Sequence, residues 1–449
     1  MPHSDRDSVW LAGVAEFDIT PPPGVDLIGY GNRPGPANHV LDPLAVRALA
    51  LTPEGGSPVV LTGADLLGLG PESIRRIRAA LADVVPPERL LLNHSHTHAG
   101  PTTVTLRAMG QADEAYVHMV ERWTAGAVRL ALRNARPARL AFGTAESSIG
   151  LNRRELRAGR IILGENPSGR YDPTVSVLRI VDAATGRPLA CWFSHATHPV
   201  VMGPANTGIS AEWPGAAVAA LRATLGCPAV FAQGCCGDIN PVRRGEHAVA
   251  RSVGNELAGS ALIAWERALP LDLSARGSQA VLETVALPLH RPTEAEARTA
   301  LAQAEENLAA FHAARGDEPL SEEQSRRMVV PSLVGWARRY LAAAGGEGPD
   351  TVGMDVQALR LGDLQIVATA AEAFVAYSDA IRERSRTEHS VALGYSNGCF
   401  GYLPTADAFP NRGYEVDTAF KYYGTCMVTP ECESLTLQAL ERCSEALES

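Results

Sequence analysis

Cysteine is scarce in this chain: eight residues in 449 (Cys191, Cys227, Cys235, Cys236, Cys399, Cys426, Cys432 and Cys443), with no C-x-x-C pair among them. That spacing supports neither a zinc ribbon nor a disulfide framework, and the thiols read as reduced groups of a cytoplasmic protein. Long apolar runs are absent too. The Ala-rich stretch from Ala216 to Cys235 is interrupted by Arg222 and Pro228, so no transmembrane span is expected. The first residues, Met1 to Trp10, have neither a basic segment nor an apolar one with a small-residue cleavage site, so no export signal is expected. Forty Lys and Arg stand against fifty Asp and Glu, a formal charge of −10, and no basic block is long enough to track phosphates. Nucleic acid is therefore not an expected partner. Neither a fixed repeat nor a low-complexity linker divides the chain, which favours one catalytic body.

What is present is ordinary globular material, 46% hydrophobic and 20% charged, enough for a substantial core. Three stretches share a pattern of apolar strand, polar cluster, helix and second apolar strand. The first runs from Pro58–Asp65 through a helix over about 71–84 to Leu90–Leu92. The second runs from Leu189–Phe193 through a helix capped near Ser210, ahead of Glu212 and Pro214, to Ala229–Ala232. The third runs from Leu364–Thr369, with Glu372 at a helix start, to Ser390–Gly394. In each the chemically able residues follow a strand directly, where open α/β sheets bind their ligands. The expected fold is α/β, a mixed sheet flanked by helices. From about 292 to 344, Leu301, Ala304, Leu308 and Phe311, then Leu333, Trp336, Tyr340 and Leu341, recur at helical spacing. This predicts a helical hairpin inserted into the body, either for packing or as a lid.

The densest chemical signal is His94-Ser95-His96-Thr97-His98, three alternating histidines at a strand end. Alternation puts them on one face if the strand persists, and imidazole is the commonest zinc ligand. The spacing approaches the H-x-H-x-D-H of metallo-β-lactamase-like enzymes, but His98 and Ala99 stand where that motif needs Asp and His. A further imidazole follows the second unit in His195-Ala196-Thr197-His198. On spacing alone Glu372 reads as a helix-start carboxylate and Tyr402 as a packed aromatic.

Taken together, Ala12-Gly13-Val14-Ala15-Glu16-Phe17-Asp18-Ile19-Thr20-Pro21-Pro22, His96-Thr97-His98-Ala99-Gly100-Pro101, Asn152-Arg153, Phe231-Ala232-Gln233 with Gly237-Asp238, and Gly401-Tyr402-Leu403-Pro404-Thr405 give a specific pattern. In these motifs and their order the chain resembles the neutral (alkaline, non-lysosomal) ceramidase family over nearly its whole length. The resemblance implies a zinc amidohydrolase acting on an N-acyl bond. Matched motif by motif, it places the zinc ligands on His96, His198, Glu372 and Tyr402. It places His98 beside the metal and makes Arg153 the site arginine, both suited to stabilising an oxyanion or moving a proton. An amide is a poor electrophile, so zinc polarises its carbonyl or lowers the pKa of a bound water toward ~7.

Two features depart from that family. Gly234 stands where the resemblance implies a serine after the F-A-Q motif, and by the same resemblance no C-terminal β-sandwich of the ceramidase kind is expected within these residues. The reading is a zinc-dependent hydrolase of a small-molecule or lipid-like acyl amide, with ceramide itself not required. The alternatives are a zinc esterase or lactonase, a non-catalytic ligand-binding homologue, and a zinc-free cysteine amidase built on Cys235.

Overall fold

The computed structural model describes residues 10–448 apart from 274–276, 317–319, 322, 323, 325 and 326. Its largest element is a nine-stranded sheet. In chain order the principal strands are β1 (Trp10–Asp18), β2 (Ala45–Thr52), β3 (Val59–Ala64), β4 (Leu90–His94), β5 (Arg136–Glu146), β6 (Thr174–Asp182), β7 (Pro188–His195) and β8 (Ala229–Gln233). Across the sheet they lie in the order β8-β7-β6-β5-β1-β2-β3-β4, with Leu269–Pro270 paired to β5. Most neighbours are antiparallel, while β3 with β4 and β7 with β8 are parallel. Each parallel pair is joined by a crossover helix, α1 (Pro71–Leu81) and α3 (Glu212–Leu225) respectively. These are the first two sequence units.

The third unit belongs to a separate sheet of four strands, β9 (Ser278–Pro288), β10 (Thr351–Leu361), β11 (Leu364–Thr369) and β12 (His389–Leu393), with β11 and β12 parallel. The mixed sheet read from the sequence is therefore two sheets packed face to face. The side-chain period of two explains the arrangement. In β2, Leu49 and Leu51 point into the core between the sheets, where they meet Leu359, Ile366 and Leu393. The alternate residues Val46, Ala48 and Ala50 point outward beneath α1 and α2 (Glu114–Arg133). The outer face of β6, β7 and β8 is covered by α3 and α4 (His247–Arg267), through Trp213, Leu221, Leu257 and Trp265. The four-stranded sheet turns Val356, Ala358 and Val367 outward onto a further helical layer. Strands buried on both faces read as apolar runs without clean alternation, so one sheet could not be told from two.

Helices α5 (Glu294–Arg315) and α6 (Val329–Ala344) pack through Ala304, Val334, Trp336 and Ala337. The segment joining them falls partly outside the described residues. Helix α5 opens on a capping box between Thr293 and Glu296. For α3 the formal N-cap is Ala211 rather than Ser210, yet the Ser210 hydroxyl still accepts from the Glu212 N–H at 2.8 Å. Among the described residues no helix is long and apolar enough to cross a membrane.

Candidate metal centre

The carboxyl ends of β4, β7, β11 and β12 converge on one buried point. The expected single face of three histidines does not form, because β4 ends at His94 and His96 takes a left-handed φ of +65°. This left-handed conformation is uncommon for a non-glycine residue. His94 is turned away, its Nδ1 lying 3.3 Å from the Tyr395 carbonyl, and burial pushes its pKa down to about 4. His96 instead points inward with Nδ1 2.9 Å from the Leu67 carbonyl. His198, just beyond β7, has Nδ1 2.6 Å from the Cys236 carbonyl. Facing carbonyl oxygens, both Nδ1 atoms must donate, which leaves each Nε2 as a bare lone pair. The Gln233 amide donates to the carbonyls of Ser95 and Thr197 at 2.9 Å each, tying the two histidine loops together.

Glu372 does not start a helix. It lies in a two-residue strand, Glu372–Ala373, paired in parallel with Tyr402–Leu403 so that Glu372 is opposite Tyr402. Its Oε2 is 3.3 Å from His96 Nε2 and 3.1 Å from His198 Nε2. Three acceptors therefore aim at one point, an arrangement that repels unless a cation or proton lies among them. Zinc bonded to nitrogen and oxygen at about 2.0–2.2 Å has tetrahedral edges of about 3.3–3.6 Å, close to these separations. The residues fit a divalent metal. Burial, with the Arg153 charge, pushes His198 down to about 4, so this ring is neutral and free to ligate.

His98 completes a trio whose candidate ligand atoms lie within 4.8 Å of one another. Its ring packs edge-on to His96 at 5.1 Å and to Tyr30 at 5.1 Å between centroids. Neither of its ring nitrogens has a partner among the described groups, although both are buried. Tyr402 and Arg153 form a pair beside the cluster. Arg153 Nη2 donates to the Tyr402 hydroxyl at 2.9 Å, and its Nε donates to Glu415 at 2.9 Å. Arg154 donates to the other Glu415 oxygen at 2.6 Å.

The structure thus gathers His96, His98, His198 and Glu372 at one point and sets Tyr402 and Arg153 next to it. Four partners were missed. Tyr423 donates to Glu372 Oε1 at 2.6 Å; the Tyr395 hydroxyl is 3.5 Å from His198 Nε2; Tyr30 packs on His98; and Glu415 holds both arginines. The only sequence trace of the first is the tyrosine density at 414, 422 and 423, which periodicity assigns to packing. Cys235 is fully buried, and burial pushes its thiol up to about 12, far from a reactive thiolate.

No family model matches the chain, and no curated protein does. Among solved structures it is similar to neutral ceramidase from Pseudomonas aeruginosa, with a TM-score of 0.73, 20% identity, and coverage of 98% of this chain and 75% of that one. A ceramidase complexed with C2 gives a TM-score of 0.73 at 19% identity, covering 98% of this chain and 76% of the other. The likeness drawn from separated motifs thus extends to the whole fold, and the expected α/β class holds.

Proposed function

We propose that the protein is a zinc-dependent hydrolase that cleaves an N-acyl amide. The observation that carries this reading is Glu372 Oε2 lying 3.3 Å from His96 Nε2 and 3.1 Å from His198 Nε2, with both Nδ1 atoms committed to carbonyls. A metal held by these three residues, with Tyr402 available beside Glu372, would lend Lewis acidity to a carbonyl and acidify water.

The protein's own groups do the rest. His98 is neutral: burial, followed by the neighbouring His96 and His198, pushes it well below its ordinary value. A neutral ring with two unpartnered nitrogens can take a proton from water and return it to the leaving nitrogen, a contribution typically of ~10²–10⁴-fold. Arg153 keeps a permanent charge beside the Tyr402 hydroxyl, where it can stabilise negative charge on the former carbonyl oxygen. Glu415 holds that guanidinium in place. Ile28, Leu67, Leu106 and Met109, with Tyr422 and Tyr423, form an apolar cluster that includes the Leu67 carbonyl contact of His96. The fold shared with ceramidases supports an acyl amide as the substrate class.

The test is turnover of matched N-acyl amides and esters by the purified protein before and after chelation. Amide cleavage lost on chelation, restored by zinc and absent from His198→Ala supports the proposal. Full activity without metal refutes it. Cleavage of esters alone would move the assignment to an esterase.

A further inference from the structure

The two carboxylate oxygens of Glu372 have different duties. Oε2 faces the histidines, and Oε1 accepts from Tyr423. The backbone on which Glu372 sits is short, a two-residue strand with its N–H bonded to the Gly401 carbonyl at 2.9 Å. A glutamate has three rotatable side-chain bonds, and such a strand does little to fix them. Among the described residues the Tyr423 hydroxyl is the side-chain donor that holds Oε1, so it selects the rotamer in which a single oxygen reaches the metal point.

Tyr423 is itself held from the far side of the fold. It ends the short helix Ala419–Tyr423, and Gly424 follows in the left-handed conformation at φ +72°. A Cβ on Gly424 would meet Arg107 Nε at 3.2 Å, so the Arg107 guanidinium packs against this left-handed turn. Trp336 of α6 grips this segment on both sides of Tyr423. Its indole N–H donates to the Thr425 carbonyl at 3.2 Å, its ring packs edge-on to Phe420 at 5.7 Å, and Lys421 Nζ sits 5.2 Å above it. Trp336 is buried, and its other neighbours belong to the α5–α6 hairpin.

We propose that Tyr423 is a positioning residue that fixes the Glu372 carboxylate for metal binding, and that the α5–α6 hairpin, acting through Trp336, is the clamp that holds Tyr423 in place. The hairpin is then part of the metal centre's support rather than inert packing. This rests on the zinc reading above, and the experiment separates the two.

Zinc affinity is measured by competition with a chromogenic chelator on the full chain, for wild type, Tyr423→Phe and Trp336→Ala. Outer partners of ligating residues are worth ~10–100-fold in affinity. Tyr423→Phe, which removes only the hydroxyl, should weaken zinc by that factor while lowering the melting temperature of the metal-free protein by no more than a few degrees. Cobalt(II) loaded in place of zinc should show altered visible absorption in the same variant, which a purely structural effect would not produce. Trp336→Ala should weaken zinc in the same direction, and Trp336→Phe should recover part of the loss. Wild-type affinity in Tyr423→Phe, with an unchanged cobalt spectrum, overturns the proposal. A lowered melting temperature with unaltered affinity in Trp336→Ala overturns the role of the hairpin. A wild type that binds no zinc removes the functional reading itself, a different result from either.

Discussion

Replacing Gly29 by alanine should silence His98 while leaving the metal in place. Gly29 has φ +98°, and a Cβ there would stand 2.5 Å from Cγ and Nδ1 of the His98 ring. The two backbones cannot easily part, because the Ile28 N–H is bonded to the Gly100 carbonyl at 3.1 Å and Leu27 bridges to Pro101. The ring must therefore give way. A side chain in left-handed backbone costs roughly 1–2 kcal/mol, and overpacking a filled site typically costs about 1–3 kcal/mol. The sum is about 2–5 kcal/mol. With about 2.1 cal/mol/K of unfolding entropy per residue, a chain of 449 residues changes stability by about 0.9 kcal/mol per degree near Tm. The variant should thus melt about 2–5 °C lower. The three atoms nearest the new methyl all belong to His98, so zinc content should stay at the wild-type level. Turnover should fall by ~10²-fold or more, the loss of a positioned acid or base. Calorimetry, elemental analysis and kcat on one preparation check all three. Turnover that survives the expected destabilisation refutes the role given to His98, and zinc lost in step with activity makes His98 a ligand instead.

Glu415→Gln leaves two arginines, Arg153 and Arg154, without the buried carboxylate they share. Breaking such a pair costs about 3–5 kcal/mol, so urea unfolding should show that loss together with a lower kcat, and an unchanged midpoint would contradict it. Arg153→Lys cannot serve both the Tyr402 hydroxyl and Glu415, since a lysine lacks the guanidinium fork. Kinetics should show reduced kcat with normal zinc content, and wild-type turnover would remove Arg153 from the mechanism. Burial lifts Glu212 from the ordinary 4.5 to about 7, against the N–H groups of Met202 and Trp213. A carboxyl raised on folding contributes stability that is full below pH 4.5 and is lost as pH climbs through about 7, here about 3 kcal/mol. Glu212→Gln, neutral throughout, should therefore gain in melting temperature relative to wild type between pH 5 and pH 8. Parallel melting curves for the two proteins over that range would exclude a raised Glu212.

Much of this architecture could be read before any coordinates. The parallel units β3-α1-β4, β7-α3-β8 and the pair β11/β12 stood out because each combines an apolar run with a turn and a helix. The split into two sheets did not, since Leu49 and Val46 are both apolar whichever layer they face. The histidines were visible as types and spacing, but the bend at His96 that separates His94 from the others is a backbone event with no composition signal. Glu372 and Tyr402 were invisible to periodicity and entered only through motif resemblance; the register of a two-residue strand is what makes them neighbours. Tyr423 and Glu415 lie 51 and 262 positions from the partners they hold, Glu372 and Arg153, and no local pattern encodes such contacts.

The decisive measurement is X-ray diffraction from the native protein, purified without chelator, at energies on either side of the zinc absorption edge. The account predicts one anomalous peak per chain, within bonding distance of His96 Nε2, His198 Nε2 and Glu372 Oε2. No peak there, from protein that still cleaves an acyl amide at full rate, contradicts it.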